Sequence, residues 1–340
     1  SKATRWGALV IVAFTMMAAY YVNDVVAPLK TMLETDLAWS STDFGFFTGG
    51  YSFLNVFFLM LIWGGLILDR FGIRFTGKLA TILMVGGTAL EYYAMTGLAG
   101  ADATLFGINE IFGYKTGVFV AFAGYSIFGV GAEVAGITVS KIIAKWFKGK
   151  ELATAMGVQV ALARIGSQAG YAVAIPLARA FGISTPVLLG LVLLLGGMIA
   201  FFVFAVMDKK LDKQMEAAAI AAGTEDEEEK FSFKDVKNIL VNPGFWLIAL
   251  LCVLFYSCVF PFQKFASELM IIKYGINENV AGTFAGLPAL GALILTPVFG
   301  GFIDKRGKSA SIMLLGSAML ICVHFIYAIP DINYWLVAIV

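Results

Sequence analysis

The chain has 340 residues, of which 60% are hydrophobic and 14% charged, with a mean hydropathy of +0.86 and a formal net charge of +1. Soluble domains run about 45–50% apolar and about 25% charged, so a water-soluble globule of this size is excluded. The near-neutral balance also gives no electrostatic basis for nucleic-acid binding.

Apolar stretches of about 20 residues recur along the chain, each predicting a membrane-spanning helix, because backbone polar groups in hydrocarbon must be satisfied within the segment. The first, 7–29, brings Tyr20, Asn23 and Asp24 to its far end. The second, 44–68, carries Tyr51 and Asn55 four residues apart, hence on one face. It leads into Gly64-Gly65-Leu66-Ile67-Leu68-Asp69-Arg70-Phe71-Gly72-Ile73-Arg74 and a third span at 77–98, where Glu91 reads as an outer-end residue. The fourth, 116–144, contains Glu133, and the fifth, 151–178, contains Gln159, Arg164 and Gln168. Gly157, Gly166 and Gly170 in the fifth span read as small residues for close packing, with Tyr171 following.

A sixth span, 185–207, precedes the one long polar stretch, 208–243, which includes the acidic run Glu225–Glu229 and reads as solvated. Its last part, 231–241, looks amphipathic. Spans at 244–272, 279–303 and 309–329 follow. The seventh holds Tyr256, Gln263, Lys264 and Glu268, and the ninth holds His324, read as a packed helix residue. Lys264 and Glu268 are spaced to form a local pair or a gate. A tenth span begins near Tyr334 and is cut short at Val340, so the chain reads as a fragment. Cys252, Cys258 and Cys322 lie in apolar runs and read as core residues outside any disulfide framework.

Charge placement predicts orientation. With the N-terminus in the cytoplasm, the inner segments gather most of the Lys and Arg, whereas the outer ones hold Lys30, Lys115, Arg179 and Lys273. "Inner" and "outer" are used below in this sense.

Ionisable groups inside spans are costly and are candidates for function. Counted from the inner ends of two consecutive antiparallel helices, Glu133 and Arg164 each lie about 18–21 Å deep. They are expected to meet near the bilayer middle and to pair with each other when no substrate is bound. Arg164 offers a planar fork for a carboxylate, and Glu133 an anion for an ammonium group. A zwitterion presents both.

The 64–74 segment resembles the signature loop of the major facilitator superfamily, Gly-x-x-x-Asp-Arg-x-Gly-x-Arg. A second copy, Gly300-Gly301-Phe302-Ile303-Asp304-Lys305-Arg306-Gly307-Lys308, follows the eighth span. The resemblance implies an all-α membrane fold of two six-helix bundles, here 1–207 and an incomplete 244–340 joined by the 208–243 linker, with about nine full spans and the start of a tenth. Gly65, Asp69, Arg70, Gly72 and Arg74, with Gly301, Asp304, Lys305, Arg306 and Gly307, then form the conformational-gating motifs. In the first copy glycine permits close helix approach, Asp69 pairs with neighbouring arginines or another helix N-terminus, and Gly72 makes the turn.

The stretches Phe128 to Glu133, Lys145 to Leu152, Ala163 to Ser167 and Phe245 to Phe262 further resemble the lysosomal dipeptide transporter branch (major facilitator superfamily domain-containing protein 1 and its bacterial relatives). That resemblance implies transport of short peptides, with Glu133 and Arg164 at the binding site. An Arg common early in the fourth span of the superfamily is missing, and Tyr125 stands in that region.

The function read from these features is secondary transport of dipeptides or similar zwitterions by alternating access, as uniport or with protons. The expected substrate-binding set is Glu133, Arg164, Gln168, Gln159, Tyr51, Asn55, Tyr256 and Gln263, with an outer gate of Asp24, Lys264 and Glu268. The weak showing of a second intramembrane carboxylate near Glu133 leans toward uniport. Alternatives are an organic-anion exchanger using Arg164 and a non-transporting sensor or scaffold. No enzyme chemistry, metal or cofactor is expected. The partners are a small solute, the lipid bilayer and candidate protons. The expected form is a monomer in a bacterial inner membrane.

Overall fold

In the computed structural model the described residues are 2–100, 103–149, 151–222, 238–306, 309–330 and 333. Helix α1, Lys2–Val25, passes into a 3-10 turn at Ala27–Leu29 opened by Pro28, then a short α2 at Lys30–Asp36. Pro lacks a backbone N–H and fixes φ, which suits it to the first turn of such an element. Helix α3, Ser41–Phe57, starts at a reciprocal cap. The Ser40 hydroxyl accepts from the Asp43 N–H at 3.1 Å, and the Asp43 carboxylate accepts from the Ser40 N–H at 2.8 Å.

The second span departs from the uninterrupted helix expected. Leu59 adopts a left-handed conformation (φ 52°), and the chain bends by 58° before α4, Met60–Thr96. Helix α4 is itself interrupted at Gly72, whose φ of 74° and ψ of 174° only glycine adopts cheaply. The chain doubles back there. A Cβ on Gly64 would fall 2.5 Å from Val134, while one on Gly131 would fall 2.7 Å from the Ala80 carbonyl. Residues 64 and 80 thus abut neighbouring turns of one helix, which a straight rod could not allow, being about 24 Å long over that interval.

A small hairpin follows, β1 at Glu110–Ile111 and β2 at Tyr114–Lys115, antiparallel with Glu110 opposite Lys115. The Tyr114 ring stacks on Phe46 at 3.8 Å. This element was not expected from the sequence. Helices α5 (Thr116–Trp146), α6 (Leu152–Phe181) and α7 (Thr185–Ala222) complete the first group. Helix α7 runs fifteen residues beyond the expected span end at 207, so the first part of the polar stretch is helical. The acidic run Glu225–Glu229 and positions 231–237 lie outside the described residues.

Helices α8 (Pro243–Ile272), α9 (Glu278–Arg306) and α10 (Ser309–Ala328) form the second group. Asn242 caps α8, its side-chain oxygen accepting from the Gly244 N–H at 2.9 Å. Tyr334 and the tenth span lie outside the described residues. Among the described residues, six helices are long and apolar enough to cross a membrane, or seven if the bent α3–α4 pair is one span.

One core joins α1 and α3 to α7, with Val12, Val22, Phe47, Tyr125, Phe128 and Phe201 buried in it. Small residues set the spacing. A Cβ on Gly166 would fall 2.1 Å from the Met17 carbonyl, so α6 lies backbone to backbone on α1. The periphery is apolar instead of polar: Phe57, Leu247 and Ile199 are 74%, 70% and 63% exposed, as expected where the surrounding solvent is hydrocarbon. The three cysteines are exposed and free, not core residues as read from their apolar runs; Cys252 lines an open groove between α8 and α10.

Candidate substrate cavity and its closure

Charged side chains collect in layers along the bundle axis. At the inner end, Lys141 of α5 lies 2.9 Å from Asp69. Asp69 therefore takes a partner on a neighbouring helix, not the adjacent arginines. Arg74 lies beyond the Gly72 reversal and faces α7, 3.0 Å from Asp212 and 3.8 Å from Asp208. Lys145 reaches Asp208 at 2.9 Å and Asp212 at 2.5 Å, and the Trp146 indole N–H donates to Asp208 at 2.9 Å. Arg70 lies over the Phe71 ring at 5.6 Å. The close-approach glycine of this motif is Gly64, against Val134. Gly65, one position on, points into open space.

In the second motif copy, Arg306 ends α9. The side chains of Gly301, Asp304 and Lys305, and residue Gly307, lie outside the described residues.

Midway along the bundle, Tyr51 donates to Glu133 at 2.8 Å. The Arg164 guanidinium stands 5.9 Å from the centre of the Tyr20 ring. Tyr20 thus lies beside Arg164, whereas Glu133 is held by Tyr51. Glu133 and Arg164 are both half-buried and form no ion pair with each other. The mutual pairing expected of the empty site is absent because Tyr51 engages the carboxylate and Tyr20 faces the guanidinium.

The remaining polar candidates scatter. Asn55 donates to the Tyr51 carbonyl at 3.1 Å, an internal helix contact. Gln168 packs at Gly286 of α9, and its side-chain oxygen is buried without a hydrogen-bond partner. Gln263 contributes its backbone carbonyl, which accepts from the Tyr171 hydroxyl at 3.0 Å. Tyr256 is exposed and stacked on Phe260 at 4.9 Å. Gln159 is half-buried toward the inner end of α6. His324 bonds within its own helix through Nδ1 and the Leu320 carbonyl at 2.9 Å, as a packed residue would.

Above this layer, Lys264 of α8 enters the first group of helices. Its ammonium donates to the Asn23 carbonyl at 2.5 Å and to the Tyr125 hydroxyl at 3.0 Å, and lies 3.8 Å from Asp24. Tyr125 itself donates to the Asn23 carbonyl at 2.7 Å. Tyr125 thus holds the end of α1.

Further out, Lys30, only 2% exposed, pairs with Glu34 at 2.7 Å, with the Ser41 hydroxyl at 2.8 Å and with Glu268 of α8. Arg179 of α6 pairs with Glu278 of α9 and donates to Asn279 at 2.7 Å. Lys264 and Glu268 do not pair with each other, because each is drawn to an opposite charge across the groove. The pairs Lys30–Glu268, Lys264–Asp24 and Arg179–Glu278 join α8 and α9 to the earlier helices on the outer side.

Sequence reasoning missed Lys30, Glu34, Arg179 and Glu278 as closing partners, and Asp208 and Asp212 as an inner acidic pair. It placed Glu91 toward an outer helix end, where it lies, but missed that Glu91 is fully buried with no hydrogen bond to either carboxyl oxygen. Together with Asp24 it supplies the intramembrane carboxylates whose scarcity had favoured uniport.

Comparison with known proteins agrees with this architecture. The profile of the Major Facilitator Superfamily matches residues 9–340. The human lysosomal dipeptide transporter MFSD1 is 27% identical over 342 residues, covering 96% of this chain and 67% of its own. Its Gallus gallus counterpart is 30% identical over 226 residues, covering 63% and 49%. Among solved structures, tetrameric PepTSo2 superposes with a TM-score of 0.62 at 13% identity, covering 95% of this chain and 76% of that one. A D-xylose-proton symporter gives 0.60 at 15%, covering 88% and 69%. At such identities the likeness concerns the fold.

Proposed function

The chain belongs to the Major Facilitator Superfamily and is a multi-pass membrane transporter and not an enzyme; from that premise we propose that it carries dipeptides or similar zwitterions by alternating access. The observation that carries this reading is an acid and a base, both half-buried within the spans, that do not neutralise each other. Glu133, steadied by Tyr51, is the anion for a peptide ammonium. Arg164, beside Tyr20, is the fork for a peptide carboxylate. A midplane charge is expensive unless something partners it, and neither side chain is spent on the other. A zwitterion satisfies both at once.

The three outer ion pairs correspond to a state in which the outer side is closed. The N-terminus lies on the cytoplasmic side, in keeping with the inner excess of Lys and Arg. The relatives named dipeptide transporters support the substrate class.

A thermal-shift screen of the purified protein against dipeptides, single amino acids and simple carboxylates tests the proposal. Dipeptides should raise the unfolding midpoint, and Glu133→Gln should remove that gain. Stabilisation confined to carboxylates without an amine, unchanged by Glu133→Gln, would identify an organic-anion exchanger instead.

A further inference from the structure

The hairpin between α4 and α5 has no role in the transport reading above. Two tight turns shape it. Leu105 and Ile108 exchange both backbone hydrogen bonds at 3.0 Å around Phe106-Gly107, and Ile111 pairs with Tyr114 around Phe112-Gly113. Both central residues of each turn have positive φ, 53° and 80° in the first and 53° and 81° in the second. This is the type I′ turn, in which Asn-Gly and Asp-Gly are preferred. A bulky side chain is an outlier in that backbone region. Phenylalanine nevertheless takes the position twice, and the two residues are 95% and 88% exposed.

Internal packing does not account for these rings, since each occupies a disfavoured backbone conformation and covers little of the protein. Exposed apolar groups gathered in one place mark contact with something outside the chain. Ring contacts show what that is. Phe112 lies 5.9 Å from Phe119, Phe119 lies 6.1 Å from Phe122, and Phe122 and Phe57 each lie 5.2 Å from Phe53. Phe57 is part of the periphery that meets hydrocarbon. An unbroken aromatic stripe therefore runs from the hairpin into the lipid-facing surface. Phe119 is three residues past Thr116, about 4.5 Å along the axis, so Phe112 sits level with the outermost turn of α5. The hairpin is fixed at that level. The Thr116 N–H and hydroxyl donate to the Asn109 and Ile108 carbonyls at 2.9 and 2.8 Å, Tyr114 stacks on Phe46, and the Lys115 ammonium donates to the Ala38 carbonyl.

We propose that this hairpin is an anchor in the outer leaflet, with Phe106 and Phe112 inserted between the lipid headgroups and the upper acyl chains. The occupant is lipid because the stripe is continuous with the hydrocarbon-facing surface. Charge complementarity to a soluble partner is also lacking: from Ala103 to Tyr114 the one charged residue is Glu110, and it stands opposite Lys115. Apolar area that water would penalise is thereby removed from it. Through its ties to α3 and α5, the anchor sets the depth of the first group of helices.

Site-directed spin labelling tests this on the whole chain in phosphatidylcholine vesicles. Cys252→Ser, Cys258→Ser and Cys322→Ser provide the background, and one nitroxide is placed at Phe106→Cys, Phe112→Cys or Ile108→Cys. Collisions with oxygen, which concentrates in acyl chains, are compared with those of a neutral nickel chelate, which stays in water. Labels at 106 and 112 should lie at least as deep as a headgroup-labelled phospholipid. In the double variant Phe106→Asn, Phe112→Asn, nickel collisions at 108 should rise at least about threefold. The unfolding midpoint in detergent should not fall, because Asn-Gly suits the turn. Labels at 106 and 112 lying in water overturn the proposal, as does a label at 108 that the double variant leaves unchanged. Shielding from both reagents would mean that a protein surface, a second copy included, covers the hairpin, and it overturns the lipid assignment. The depths at 106 and 112 need no Asn substitution, so they decide the matter even where the double variant fails to fold.

Discussion

The phenolic hydroxyl of Tyr51 donates to the carboxylate of Glu133 at 2.8 Å, linking α3 to α5 at the middle of the bundle. Helices α3 and α5 come this close because Gly129 has no side chain: a Cβ there would fall 2.4 Å from the Tyr51 carbonyl. The same contact that packs the helices therefore positions the acid.

Removing only that hydroxyl, in Tyr51→Phe, leaves Glu133 one donor short. A hydrogen bond to a charged group is worth about 1.5–3 kcal/mol, so dipeptide affinity is expected to fall about tenfold or more. Glu133→Gln removes the charge itself and should abolish measurable binding of zwitterions. Isothermal calorimetry with both variants separates the two effects. Equal affinity in Tyr51→Phe and the parent protein would mean that the hydroxyl serves packing alone.

Arg164→Lys keeps the charge and loses the fork. Bidentate recognition of a carboxylate depends on guanidinium geometry, so peptide uptake should fall about tenfold while the unfolding midpoint stays put. Retained uptake would mean that Arg164 acts only as a point charge beside Tyr20.

The Gly64–Gly72 segment permits a three-way comparison by thermal unfolding in detergent. Gly72→Ala meets no steric obstacle but must hold φ at 74°, a cost of about 1–3 kcal/mol. Gly64→Ala drives a methyl against Val134, a β-branched side chain with little freedom to turn away. Gly65→Ala, in open space within a helix, should be neutral or stabilising by about 1 kcal/mol. Loss of stability at Gly65 as large as at Gly64 would contradict the packing described.

These glycines also show how far the sequence could be read. Apolar runs located the spans, since lipid leaves the backbone no other structure, and the signature loop marked the reversal at Gly72. The break at Leu59 was illegible: Leu54 to Leu61 contains neither Gly nor Pro, and the left-handed residue is imposed by its surroundings. Depth counting placed Glu133 and Arg164 in one layer, but their partners, Tyr51 and Tyr20, come from helices distant in sequence. Asp208 and Asp212 were hidden because a run of polar residues after an apolar span reads as linker. Only the fold shows α7 continuing past Arg74 and Lys145. The burial of Glu91 was hidden for the opposite reason: five residues from the end of α4 it looks peripheral, yet α5 closes over it.

The outer closure supplies the last test. Lys30 is almost fully buried and binds Glu34, Ser41 and Glu268 together, so it is the one cation between two carboxylates from opposite sides of the groove. Lys30→Met leaves those carboxylates facing each other without a counter-charge. Losing one partner of a fully buried pair costs about 3–5 kcal/mol, but Glu34 and Glu268 are partly exposed. A figure of about 1–2 kcal/mol is therefore expected, enough to shift the balance of open and closed states about five- to thirtyfold. The shift must favour the outer-open state, because the contact exists only when the outer side is closed. Spin labels on the outer ends of α3 and α9, read as a distance distribution, should lengthen in Lys30→Met, and Glu268→Gln should lengthen them less, since Glu34 keeps Lys30 neutralised. An unchanged distribution in Lys30→Met would show that the Arg179–Glu278 and Asp24–Lys264 pairs hold the outer side by themselves.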